Sequence, residues 1–156
     1  MTELAFGATV WWTGCGRDGA GGVSTGGQEL EYSAPRSMGG RGNGTSPEEL
    51  LVSAVASCYA GTLYHLLARH GLPADQVTVR AEGSVSDYPS RRAAFSRVMV
   101  HPTFSGADTS REAEYGRCAR TARDHCFIGK ALRSDIRYEV GDVVVQPPAL
   151  AHAEGK

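Results

Sequence analysis

The residues best suited to chemistry are four cysteines, Cys15, Cys58, Cys118 and Cys126, with Arg17, Glu48, His65 and His125 as polar groups that could serve them. Thiolates, not thiols, act as nucleophiles and metal ligands, so the surroundings of each cysteine decide what it can do. Cys58 stands among Ala56, Ser57, Tyr59 and Ala60, where a small buried thiol is inert unless a nearby cation lowers its pKa. Cys126 lies in His125-Cys126-Phe127-Ile128, at a junction between two helical patterns, where free backbone N–H groups favour a thiolate. No CxxC spacing joins any two of them. Cys58, Cys126, His125 and His65 offer the alternative of a mixed thiolate and imidazole zinc site, although neither pair has the usual ligand spacing. A third reading is an apolar ligand site lined by Met38, Tyr59, Phe127 and Ile128. Arg17 by itself reads as a turn residue, and Glu48 and Glu49 suit a helix N-terminus on dipole grounds alone.

These residues are carried by elements that the pattern makes visible. Phe6 to Thr13 reads as a strand, Gly14 to Gly19 as a tight turn, and Gly22 to Ser33 as one or two further strands. Ser46-Pro47-Glu48-Glu49 combines a capping serine, proline at the first helical position and a glutamate placed to close a capping box. The helix that starts there runs to Leu67 and ends at Arg69, His70 and Gly71. Its apolar residues cover nearly every face, so it is expected to be buried, with a second subunit covering the side that a sheet leaves open. Val77 to Asp87 and Ala94 to Phe104 predict an antiparallel hairpin across Tyr88 to Arg92. Thr109-Ser110-Arg111-Glu112 predicts a second capping box, opening a helix to about Asp124 with Tyr115, Cys118, Ala119 and Ala122 facing inward. A short helical piece at Lys130 to Leu132 and a strand from Ile136 to Val145 follow. The order is that of an α+β fold in one domain, residues 1–146, with 147–156 as a flexible tail.

Composition narrows the function classes. Sixteen basic and 17 acidic residues give a formal net charge of −1, which excludes the field that gathers nucleic acid or anionic lipid. No run of about 20 apolar residues is evident, and Met1-Thr2-Glu3 lacks the basic start of a signal peptide, so a cytoplasmic location is expected. In that reducing compartment the cysteines are better read as reactive, metal-binding or merely buried than as a disulfide framework.

Gly44-Thr45-Ser46-Pro47-Glu48-Glu49-Leu50-Leu51, running into Ala54-Val55-Ala56-Ser57-Cys58, resembles the signature helix of the osmotically inducible and organic hydroperoxide resistance proteins, the OsmC/Ohr family. His125-Cys126-Phe127-Ile128-Gly129-Lys130-Ala131-Leu132 resembles its second cysteine motif, except that Phe127 replaces the usual proline and Gly129 the usual serine. Gly16-Arg17-Asp18-Gly19 and Ala34-Pro35-Arg36-Ser37-Met38-Gly39-Gly40 lean towards the hydroperoxide-resistance branch, and the resemblance extends over residues 6 to 145. It implies an antiparallel sheet wrapped around a long central helix in an intertwined homodimer. It also implies a thiol peroxidase acting on organic hydroperoxides, without a bound cofactor or metal and re-reduced by an external dithiol such as a lipoylated protein. On this resemblance Cys58 is the reactive cysteine, Cys126 the resolving one, Arg17 the activating cation and Glu48 its acidic partner. Glu48 and Cys58 are ten positions apart on one helix, a rise of about 15 Å. That separation favours an active site at a dimer interface.

Overall fold

A computed structural model describes residues 1–150. The chain divides into two compact units, Met1–Leu51 and Val52–Lys156, with the boundary inside the first long helix.

In the first unit β1 (Thr9–Thr13), β2 (Ala20–Thr25) and β3 (Gln28–Ser33) form an antiparallel sheet in that order. Gly26 and Gly27, with φ of 56° and 77°, supply the two left-handed positions that a two-residue hairpin requires between β2 and β3. The indole of Trp11 covers Gly22 and that of Trp12 covers Gly19, so a side chain at either glycine would displace the ring. After β3 the chain returns alongside it: Thr45 N–H donates to the Glu31 carbonyl at 2.9 Å and Ser33 N–H to the Thr45 carbonyl at 3.0 Å. This ties the start of α1 (Pro47–Arg69) to the sheet. The predicted capping box is formed, with Glu49 N–H donating to Ser46 Oγ at 3.2 Å and Ser46 N–H to Glu49 Oε2 at 3.0 Å.

In the second unit α1 presents Val55, Tyr59, Leu63 and Leu67, one residue per turn, as a fully buried stripe. The stripe joins Val100, Phe104, Tyr115 and Ala122 in the main core. Burial is confined to that stripe, contrary to the expectation of a helix buried all round: Ala54, Gly61 and Tyr64 are exposed within one chain. A sheet covers only one side of a helix, which is why the other side stays open. At 23 residues α1 is also long and apolar enough to cross a membrane by length and composition, which corrects the reading that no such run exists. A core helix passes the same test, and the buried stripe gives α1 that place here.

The predicted hairpin is present as β4 (Gln76–Ser86) and β5 (Ala94–Ser105), with a register shift at Ser84 and Val85. Along β5, Val98, Val100, Pro102 and Phe104 alternate inward. A 3₁₀ turn at Thr109–Arg111 leads into α2 (Glu112–His125), whose buried residues are the four expected: Tyr115, Cys118, Ala119 and Ala122. The cap is different, because Asp108 accepts from Ser110 N–H at 3.0 Å and no Thr109 box forms. The last strand is broken into β6 (Arg137–Val140) and β7 (Val144–Val145). Between them Gly141 N–H donates to the Val100 carbonyl, Asp142 N–H donates to His101 Nδ1, and the His101 ring lies where a side chain at 141 would be. Both β6 and β7 pair with β5 in parallel, so this sheet is mixed and the expectation of an antiparallel sheet is corrected. The reason is topological: the helix α2 carries the chain back to the end of the sheet where β5 began. Residues 147–150 have no regular structure, and the rest of the expected tail, 151–156, lies outside the described residues.

Candidate functional site

Two of the four cysteines meet. Cys58, half-buried on α1, and Cys126, fully buried at the C-terminal cap of α2, are 68 positions apart in sequence. α2 ends at His125, and a 3₁₀ turn, Gly129–Ala131, starts three residues after Cys126. The N–H groups at the head of that turn point to sulfur: Ile128 N–H donates to Cys58 Sγ at 3.5 Å, and Gly129 N–H to Cys126 Sγ at 3.3 Å. The junction therefore serves both thiols, where the sequence assigned its free donors to Cys126 alone. The Cys126 thiol in turn donates to the Val55 carbonyl, one turn before Cys58, at 3.7 Å.

Burial pushes the Cys126 thiol above its ordinary range; the Tyr138 hydroxyl and the Gly129 N–H oppose this, and the adjacent Cys58 adds to it. Cys126 is thus held as a thiol at neutral pH, with donors in place that favour its ionised form. Tyr138, on β6, was read from the sequence only as a strand residue. Its phenol oxygen is buried and makes no hydrogen bond of normal geometry among the described residues, and burial raises its pKa strongly. The one trace of it in the sequence was Gly129, because a Cβ at that position would stand 2.3 Å from Tyr138 Cε1.

Arg17 and Glu48 belong to the first unit. Arg17 sits in a 3₁₀ turn, Gly16–Asp18, between β1 and β2, and its guanidinium rests against Gly39, whose φ is 77°. Glu48 lies in the first turn of α1, and its Oε2 is buried without a hydrogen-bond partner among the described residues. Its neighbour Glu49 closes the capping box instead.

The remaining candidates are dispersed. Cys15 is exposed, and Cys118 is buried on α2 with its pKa raised by burial. His125 Nδ1 lies 2.9 Å from the Thr121 carbonyl and His65 is exposed. Among the described residues no group of three or more His, Cys, Asp or Glu side chains is placed to hold a metal ion. Tyr59 is a core residue with its hydroxyl on the Ala119 carbonyl, not the wall of a ligand site, whereas Phe127 is 72% exposed.

The chain is similar to proteins already known. The chain is 26% identical over 143 residues to the uncharacterized protein YmaD of Bacillus subtilis, covering 90% of this chain and 94% of that one. The fold is similar to an organic hydroperoxide resistance protein OsmC from Legionella pneumophila, with a TM-score of 0.71 at 22% identity over 92% of this chain and all of that one. It is similar as well to an OsmC-like protein from Mycoplasma pneumoniae, with a TM-score of 0.73 at 15% identity over 93% and 99% of the two chains. Residues 40–141, which include both cysteines of the pair, match the family model of OsmC-like proteins, and the chain belongs to that family.

Proposed function

We propose that this chain is a thiol-dependent peroxidase that reduces organic hydroperoxides to alcohols. The observation that carries the proposal is the pairing of Cys58 and Cys126, each sulfur receiving one of two consecutive N–H groups, from Ile128 and Gly129. In this reading the Cys58 thiolate attacks the terminal peroxide oxygen. The O–O bond breaks, the alkoxide takes a proton and leaves as the alcohol, and Cys58 becomes a sulfenic acid. Cys126 then attacks that sulfur, expelling water and leaving a Cys58–Cys126 disulfide. An external dithiol, by family resemblance a lipoyl group, returns both to thiols. Half-burial of Cys58 and full burial of Cys126 suit the order, since the first must meet substrate and the second only its partner.

Arg17 is assigned the cation that favours the Cys58 thiolate and binds the peroxide oxygens, and Glu48 the carboxylate that orients its guanidinium. Glu48 Oε2, buried and without a hydrogen-bond partner among the described residues, supports a carboxylate that awaits a donor. We assign the functional unit to a homodimer, because the apolar side of α1 that includes Ala54 and Tyr64 is open in one chain. Full activity from an intact monomer, measured by light scattering beside the assay, would contradict this. We assign the chain to the cytoplasm, a compartment that keeps thiols reduced.

The deciding experiment is single-turnover oxidation of the reduced protein by cumene hydroperoxide, with thiol counting and mass spectrometry. Wild type should lose two thiols to a Cys58–Cys126 disulfide, and Cys126→Ser should accumulate a sulfenic acid on Cys58. Cys58→Ser should be inert. A Cys58 that stays reduced in wild type ends the peroxidase reading.

A further inference from the structure

The tyrosines of the core differ in one respect. Tyr59 donates to the Ala119 carbonyl and Tyr115 to the Pro73 carbonyl, but the buried Tyr138 hydroxyl has no such acceptor among the described residues. A buried hydroxyl without a partner is costly and calls for a reason. Its place is set by Gly129: a Cβ there would lie 2.3 Å from Tyr138 Cε1 and 3.2 Å from Cys126 Sγ, so ring and sulfur share the space that the missing side chain leaves. On β6, Tyr138 is paired in register with Val98 of β5, and its side chain packs against the main core.

We propose that Tyr138 is a positioning residue for the resolving half of the reaction, its hydroxyl donating a hydrogen bond to the Cys126 sulfur as that thiol gives up its proton. The chemistry rests on the peroxidase reading; the contact itself does not. As the S–S bond forms and the S–O bond of the Cys58 sulfenic acid breaks, the Cys126 proton leaves with the departing hydroxyl as water, and Tyr138 keeps its own. A thiolate in so buried a place has the Gly129 N–H as one donor, and the phenol adds a second. The titratable groups that face Cys126 are Cys58 and Tyr59 from α1 and Tyr138 from β6; the neighbouring His125 ring is turned to the Thr121 carbonyl. None of the other three is positively charged, so the hydroxyl is the side-chain group that can favour the ionised sulfur.

The test uses Tyr138→Phe, which keeps the ring against Gly129 and removes only the hydroxyl. Rapid-quench single turnover with cumene hydroperoxide should give an unchanged rate of sulfenic acid formation on Cys58. Disulfide formation should slow about tenfold at neutral pH, the effect of a one-unit rise in the Cys126 pKa, and should recover as pH rises. In a Cys58→Ser background, the Cys126 thiolate, followed by its ultraviolet absorbance, should form at higher pH in Tyr138→Phe than with the native tyrosine. Equal resolution rates, or equal titrations, overturn the proposal. If wild type forms no disulfide with any hydroperoxide the peroxidase reading falls with the resolving role, while the titration still decides whether the hydroxyl supports the Cys126 thiolate.

Discussion

The two sheets of this protein stand at opposite ends of a range in how they are stabilised. Strand β5 buries every second residue from Val98 to Phe104, while β1 is exposed along its whole length and Val23 is the one large apolar side chain of the first sheet that is buried. In the second unit the driving force is burial of apolar area. The first relies on hairpin geometry, on indole rings laid over Gly19 and Gly22, and on backbone hydrogen bonds around Thr45. The candidate residues divide between the two units. The cysteine pair, with an N–H group on each sulfur, stands in the densely packed unit, while Arg17 stands in a turn of the other.

Substitutions can break or sharpen this contrast. Phe104→Ala, at the centre of the packed sheet, should cost about 3–5 kcal/mol in denaturant unfolding; a loss no larger than that of a surface residue would remove the contrast altogether. Gly129→Ala should cost about 1–3 kcal/mol by forcing a methyl into the Tyr138 ring, and should slow disulfide formation more than it slows the first oxidation of Cys58. The pH profile of resolution should follow the raised Cys126 pKa, climbing with alkalinity through and beyond the ordinary thiol range. The same shift favours the protonated native form, so its contribution to stability is present below the ordinary thiol pKa and is lost as pH rises through the folded one. In the first unit Ser46→Ala should remove a capping bond worth about 1 kcal/mol. Smallest of all, Trp11→Ala should cost about 0.2–1 kcal/mol, the scale of a cross-strand contact on an exposed face.

Where the reading from sequence held, the interactions were short in sequence. The Ser46 and Glu49 box and the inward face of α2 depend on residues three or four apart, a distance over which backbone geometry dictates who meets whom. Even at that range a competitor can win: Asp108, one residue earlier, took the capping role expected of Thr109. The parallel pairing of β6 and β7 with β5 was missed because strand direction depends on where α2 delivers the chain, and the break at Gly141 because it answers to His101, forty residues away. Tyr138 left no local mark of its own.

Sequence alone determined the α+β order of elements, the start of α1, the inner face of α2 and, through two motifs, the family. Tertiary structure decided that the Ile128 and Gly129 N–H groups are shared between the two sulfurs and that Tyr138 occupies the space beside Gly129. The reason is one of range. Caps, turns and helical faces are written by neighbours along the chain, whereas the surroundings of a thiol 68 positions from its partner exist only once α1, α2 and β6 have packed together.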